Sequence, residues 1–261
     1  MNRLDKENRI IEFFQTFNTK DVLMIPMSLK TISIFNEIYN RNNWMNWIDS
    51  SDKNELPPDF YNEKLKLMMD VMRIDDHTYV DEKGKVTNPH NQRESELIKE
   101  LTRDNEVLKK AAEKGQLIVI PNTWLVGEKD HNYNYYINSF NRVVGNHIKK
   151  IDNYKVNHPG YKTIFFVFDE SSPYAKCLDE KRPKKVSEAL SAALHLWWYD
   201  KNMISCLKGS NIDYLIWVTP YKRFNSIEKV ELPKAIIINV EKIKYKKLIE
   251  YSPSDMQSLE L

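Results

Sequence analysis

The chain has 261 residues, 39 basic and 37 acidic side chains and a net charge of +2, a balance that excludes a dedicated nucleic-acid coat. Fourteen tyrosines, ten phenylalanines and six tryptophans exclude a disordered chain. Its six glycines are isolated, so no Gly-rich phosphate cradle exists, and neither a nicotinamide or flavin fold nor a P-loop nucleotide site is expected.

Residues 4–17 place Leu4, Ile10, Ile11, Phe13, Phe14 and Phe17 on one face of a helix. Acids and bases are interleaved there and no signal-type apolar stretch occurs, so a cytoplasmic protein is expected. "DVLMIP" (21–26) reads as a buried strand and residues 29–48 as a helix. "DSSDKNELPPD" (49–59) carries two prolines and reads as a loop. It marks where a helical subdomain of residues 1–58 would join the rest; otherwise the chain reads as a single α/β domain. Residues 61–72 read as a helix and 73–89 as a hairpin around "DEKG". Asn88-Pro89 supplies an N-cap and a first-turn proline for a helix to about 114, which Gly115 closes. A strand at 116–121 and a helix at 132–154 follow. Then comes "KTIFFVF" (162–168), an unbroken apolar strand ending in Asp169 and Glu170. Residues 184–207 read as helical, and "DYLIWVTP" (213–220) and "KAIIINV" (234–240) as strands.

Continuous apolar runs alternating with long helices predict an α/β fold, a mostly parallel central sheet flanked by helices on both faces. Ligands in such sheets bind beyond the carboxyl ends of the strands. If the strands are parallel, Asp169 and Glu170 share that edge with Met27 and Ser28, with Asn122 and Thr123, and with Tyr221, Lys222 and Arg223. Two carboxylates suit a hard cation, so Asp169 and Glu170 are the expected ligands of Mg²⁺ or Mn²⁺, and Lys222 and Arg223 the expected phosphate contacts. The structural alternative is that Ser172-Pro173 starts a helix whose positive end one of the acids merely favours, which leaves the adjacent second acid unexplained.

A second constellation lies around the hairpin. Asp75, Asp76 and His77 precede it, and Arg93, Glu94 and Glu96 open the helix after it. Asp76, His77 and Glu94 are candidates for general-base or cation chemistry, with Arg93 and Asn122 on the substrate. Acids at a helix N-terminus explain part of this pattern without function. Asp130 and His131 stand just before the 132–154 helix. The six histidines form no H-E-x-x-H or i,i+4 pair, so no structural zinc is expected. Cys177 and Cys206 read as reduced thiols.

The expected function is metal-dependent phosphodiester hydrolysis of nucleic acid. The alternative is a non-catalytic α/β adaptor for nucleic acid or a protein partner, acting through aromatic and basic surface such as "KRPKK" (181–185) and "KIKYKK" (242–247). No apolar run approaches ~18 residues, so no membrane partner is expected.

Overall fold

The computed structural model describes residues 7–50, 58–113, 131–179, 191–222 and 232–259. The chain begins with α1 (Glu7–Phe14), β1 (Val22–Ile25), α2 (Leu29–Tyr39), α3 (Arg41–Trp44) and β2 (Ile48–Asp49). β3 (Phe60–Asn62), β4 (Leu67–Ile74), β5 (Tyr79–Val80) and β6 (Val86–Thr87) follow, then α4 (Pro89–Thr102) and α5 (Glu106–Glu113). The second half contains α6 (Tyr133–Ile148), α7 (Ile151–Asn157), β7 (Lys162–Asp169), β8 (Tyr174–Cys177) and β9 (Ala192–Leu194). It ends with α8 (Lys201–Ile204), β10 (Tyr214–Val218), β11 (Ala235–Asn239) and β12 (Met256–Ser258).

Seven strands form one mixed sheet in the order β1-β11-β10-β7-β4-β3-β2. Its centre is parallel: β7 pairs in parallel with β10 on one side and β4 on the other. β11 runs antiparallel to β10, and β3 antiparallel to β4. β1 is parallel to β11 and therefore points the opposite way from β7. This corrects the expected edge, because Met27 and Ser28 follow β1 and fall at the end of the sheet away from Asp169.

Period-2 alternation sorts the strand residues into two cores. Ile164, Phe166 and Phe168 pack with Ile10, Ile11 and Phe14 of α1 and Ile34, Phe35 and Ile38 of α2. Phe165 and Val167 join Leu215, Trp217 and the α6 residues Tyr136, Phe140 and Val144. The Phe14 ring meets Phe166 edge-on at 5.6 Å, and Phe140 stacks on Trp217 at 4.6 Å. Each such buried ring contributes roughly 1.5–3 kcal/mol, so β7 is held firmly from either side.

Several elements differ from the sequence reading. Residues 61–72 are not a helix but β3, a turn and β4. "LMMDVM" (67–72) is buried throughout, and a fully buried run has no polar face from which to tell the two periods apart. Residues 29–48 divide into α2, α3 and β2. The 89–114 helix breaks at 103–105, where the Asn105 side chain accepts from the N–H groups of Val107 and Leu108 and restarts it as α5. The 132–154 helix breaks between α6 and α7. Of 184–207, the described part is β9, a tight turn at Trp197–Tyr199 and α8, not one helix. Ser172-Pro173 leads into β8 rather than a helix. The hairpin is as expected, with Asp81 and Gly84 at its turn. The segments at 116–121 and 181–185 lie outside the described residues. Among those described, no helix is long and apolar enough to cross a membrane.

Candidate functional site

Because β4, β7 and β10 are parallel, the residues after them meet at one edge. Asp169 is fully buried there. Its Oδ2 accepts from the Tyr136 hydroxyl at 2.6 Å and from Trp217 Nε1 at 2.9 Å. Its Oδ1 accepts from the Ser171 N–H at 2.9 Å and the Ser171 hydroxyl at 2.6 Å. The buried Lys222 ammonium lies 3.5 Å from Oδ2 and donates to Ser171 Oγ and to the Ser172 carbonyl. It also sits 4.4 Å from the centre of the Tyr136 ring. Burial and the Asp169 charge push the Tyr136 hydroxyl well above its ordinary range, so it stays a donor. Lys222 does reach Asp169, as an internal counter-ion for the carboxylate.

Glu170 turns the other way. Arg73 grips it with Nε to Oε2 at 3.0 Å and Nη2 to Oε1 at 2.7 Å. Burial raises its pKa, and the arginine works against that shift. Successive residues of an extended chain point to opposite sides, so Asp169 and Glu170 do not converge on one ion as expected. Each answers a separate cation.

Asp76 is also fully buried. Burial acts to raise its pKa, but His131, His77 and Tyr174 outweigh it and hold the carboxyl well below the usual range. Oδ2 accepts from Ser172 N–H at 3.0 Å, the Ser172 hydroxyl at 2.8 Å and the Tyr174 hydroxyl at 2.7 Å. His131 Nδ1 lies 3.2 Å from Oδ2, and His77 Nε2 lies 3.5 Å from Oδ1. Asp75 instead organises the turn, accepting from the N–H groups of His77 and Thr78, from the Thr78 hydroxyl and from Asn88. Arg93 pairs with Glu96 at 3.2 Å on its own helix. The Glu94 side chain, Asn122 and Arg223 lie outside the described residues. Below this edge, Asp200 accepts from the Tyr133 hydroxyl and lies 2.8 Å from His195 Nε2.

The sequence reading missed a second group of acids, midway along the sheet. β3 and β4 pair with Phe60 beside Met69, which places Asp59, one residue earlier, opposite Asp70. Asp70 is 3% exposed in the middle of β4. The Asp70 and Glu7 charges both act on Asp59. Burial first, and then Asp70, push Asp59 up to about 8. Asp59 Oδ2 accepts from Val71 N–H at 2.7 Å. Asp70 Oδ2 accepts from the Tyr154 hydroxyl at 3.0 Å and is bonded to His147 Nδ1. Two carboxylates facing each other across neighbouring strands repel. A shared proton or a shared cation relieves that repulsion. The available signal was an aspartate inside an apolar run, opposite a Pro58-Asp59 step; reading 61–72 as a helix concealed it.

Compared with known proteins, the chain matches no family model, no curated sequence and no solved structure.

Proposed function

We propose that this protein is a divalent-metal-dependent phosphodiester hydrolase acting on nucleic acid, with Asp59 and Asp70 as the carboxylates that take Mg²⁺ or Mn²⁺. The observation that carries this reading is the facing pair itself, two acids set opposite each other by strand register with the Glu7 charge acting on Asp59. Mg²⁺ is typically held by one or two carboxylates and completes its shell with water and phosphate oxygens. An ion there would neutralise charge on the phosphate during displacement. His147 is tied through Nδ1 to Asp70 and is partly exposed, which fits a base taking a proton from the attacking water at Nε2.

Three further features support the reading. A groove of 520 Å³ at the opposite end of the sheet from Asp169 is lined by Lys30, Lys155 and Lys162 with Tyr214 and Tyr245, alongside Asp213 and Glu241; its lysines and tyrosines suit a phosphate backbone and bases. The division of the core into one cluster with α1 and α2 and another with α6 and α7 fits a sheet covered by helices on both faces, the setting expected for such a site. The free thiols of Cys177 and Cys206 fit a cytoplasmic location.

The test is cleavage of single- and double-stranded DNA and RNA with Mg²⁺, Mn²⁺ or EDTA. The wild type should cut at least one substrate, and only with metal. Asp59→Asn and Asp70→Asn should each lose about 100-fold or more of the rate while keeping the wild-type circular dichroism. A wild type that cuts nothing, or variants that cut at its rate, would refute the proposal.

A further inference from the structure

We infer that Asp76, His77 and His131 form a second and separate metal site, suited to a transition-metal ion of the zinc class. One ligand atom from each residue lies within 4.8 Å of the other two. The individual distances are more telling. Asp76 Oδ1 is 3.3 Å from His131 Nδ1 and 3.5 Å from His77 Nε2. Tetrahedral zinc binds nitrogen and oxygen at roughly 2.0–2.2 Å, which sets ligands about 3.3–3.5 Å from one another. The two distances from Asp76 therefore match two edges of that tetrahedron, and the two imidazole nitrogens lie within 4.8 Å of each other.

The surroundings fix this arrangement from behind. Ser172 and Tyr174 anchor Oδ2 of Asp76 with three donated hydrogen bonds, which orients the carboxylate so that Oδ1 faces His77 while His131 Nδ1 stands against both oxygens, 3.2 Å from Oδ2 and 3.3 Å from Oδ1. Such outer hydrogen bonds on a ligating carboxylate are what metal centres use to hold their ligands. The segment carrying His131 is pinned to Asp76 by its backbone, because Asn132 N–H donates to the Asp76 carbonyl at 3.2 Å. Asn132 also caps α6 through its side chain, accepting from Asn134 and Tyr135 N–H groups. The two rings are tilted with centroids 4.6 Å apart, and their side chains are 12% and 14% exposed, so an ion and a fourth ligand from solvent can reach them.

Chemistry separates this site from the facing acids. Two imidazole nitrogens and one carboxylate oxygen favour Zn²⁺, Co²⁺ or Ni²⁺ over Mg²⁺, whereas an all-carboxylate pair favours the hard ions. Six residues of extended chain, roughly 20 Å, separate Asp70 from Asp76. The inference stands independently of the hydrolase proposal. No spacing motif announces the site because its ligands come from the end of β4 and the start of α6, which the chain order keeps far apart.

The experiment uses the full chain freed of metal with EDTA. Zn²⁺ is titrated by calorimetry and by thermal melting, and Co²⁺ by its visible d–d absorption, which is intense only in tetrahedral sites. The wild type should bind one Zn²⁺ per chain with a raised Tm and give the tetrahedral Co²⁺ spectrum, with an excess of Mg²⁺ failing to compete. His77→Ala and His131→Ala should weaken Zn²⁺ binding about 100-fold or more. Asp59→Asn should bind Zn²⁺ as the wild type does, which separates this result from any failure of the hydrolase reading. His77 makes the more distant contact with Asp76, so His77→Ala keeps the test valid even if His131→Ala fails to fold. Absence of zinc binding in the wild type, or binding unchanged in folded His77→Ala, would overturn the inference.

Discussion

A lysine ammonium buried to the last few per cent survives only where its charge is answered at close range. Lys222 meets that condition through Asp169, two serine oxygens and the faces of Tyr136 and Trp197. Removing one partner leaves the other charge buried without compensation. Lys222→Met is therefore expected to destabilise the fold by about 3–5 kcal/mol, and adding Asp169→Asn should recover part of that loss. Urea denaturation of the single and double variants checks this; a double variant as costly as the sum of the singles would contradict the pairing. By the same reasoning Asp169→Asn changes stability and leaves metal binding intact. His195 makes a second prediction at this scale. Burial lowers its pKa below the ordinary 6.5, with Lys222 acting the same way and Asp200 and Asp169 acting against it. The folded chain then keeps His195 neutral at a pH where the unfolded chain would protonate it. Stability from this group is present above pH 6.5 and is lost as the pH falls below that value. Tm should drop as the pH is lowered from 7 toward 5, and His195→Gln should flatten that part of the profile. An equal slope in the variant would show that His195 is not responsible.

At the scale of elements, the strands that sequence made legible were those with long, unbroken apolar runs. Thr163–Phe168 and Tyr214–Val218 are buried along their whole length and pair as neighbours. β4 has the same character, but Asp70 and Arg73 interrupt its run, and both find their partners through tertiary contacts that no local pattern reveals. Strand direction was equally hidden. β11 looks like its neighbours in composition and yet runs against β10, which moves the end of β1 to the far edge. The candidate sites follow the same rule. Asp76 and His77 were visible as a polar pair beside a hairpin, but His131 reaches them only because α6 begins there. Asp59 and Asp70 face each other through strand register alone. The adjacent acids at 169–170 stood out in sequence, and both are neutralised by cations brought in from other elements.

Across the whole molecule, charge is distributed along the direction of the central strands. One end of the sheet holds the buried acids Asp169, Asp76 and Asp200 and the half-buried Glu170, answered by Lys222, Arg73 and histidines. The other end opens into the groove bearing Lys30, Lys155 and Lys162. Between them lies the facing pair Asp59 and Asp70, where burial and the Asp70 and Glu7 charges push Asp59 up to about 8, so that without a cation it keeps its proton at neutral pH. A cation taking the place of that proton is the central claim of the proposed function. The direct measurement is an anomalous difference map from crystals soaked in Mn²⁺. The account predicts a peak between the Asp59 and Asp70 carboxylates, within about 2.5 Å of an oxygen from each. A map with no peak at that position, including one whose only peak lies at Asp76, His77 and His131, would contradict it.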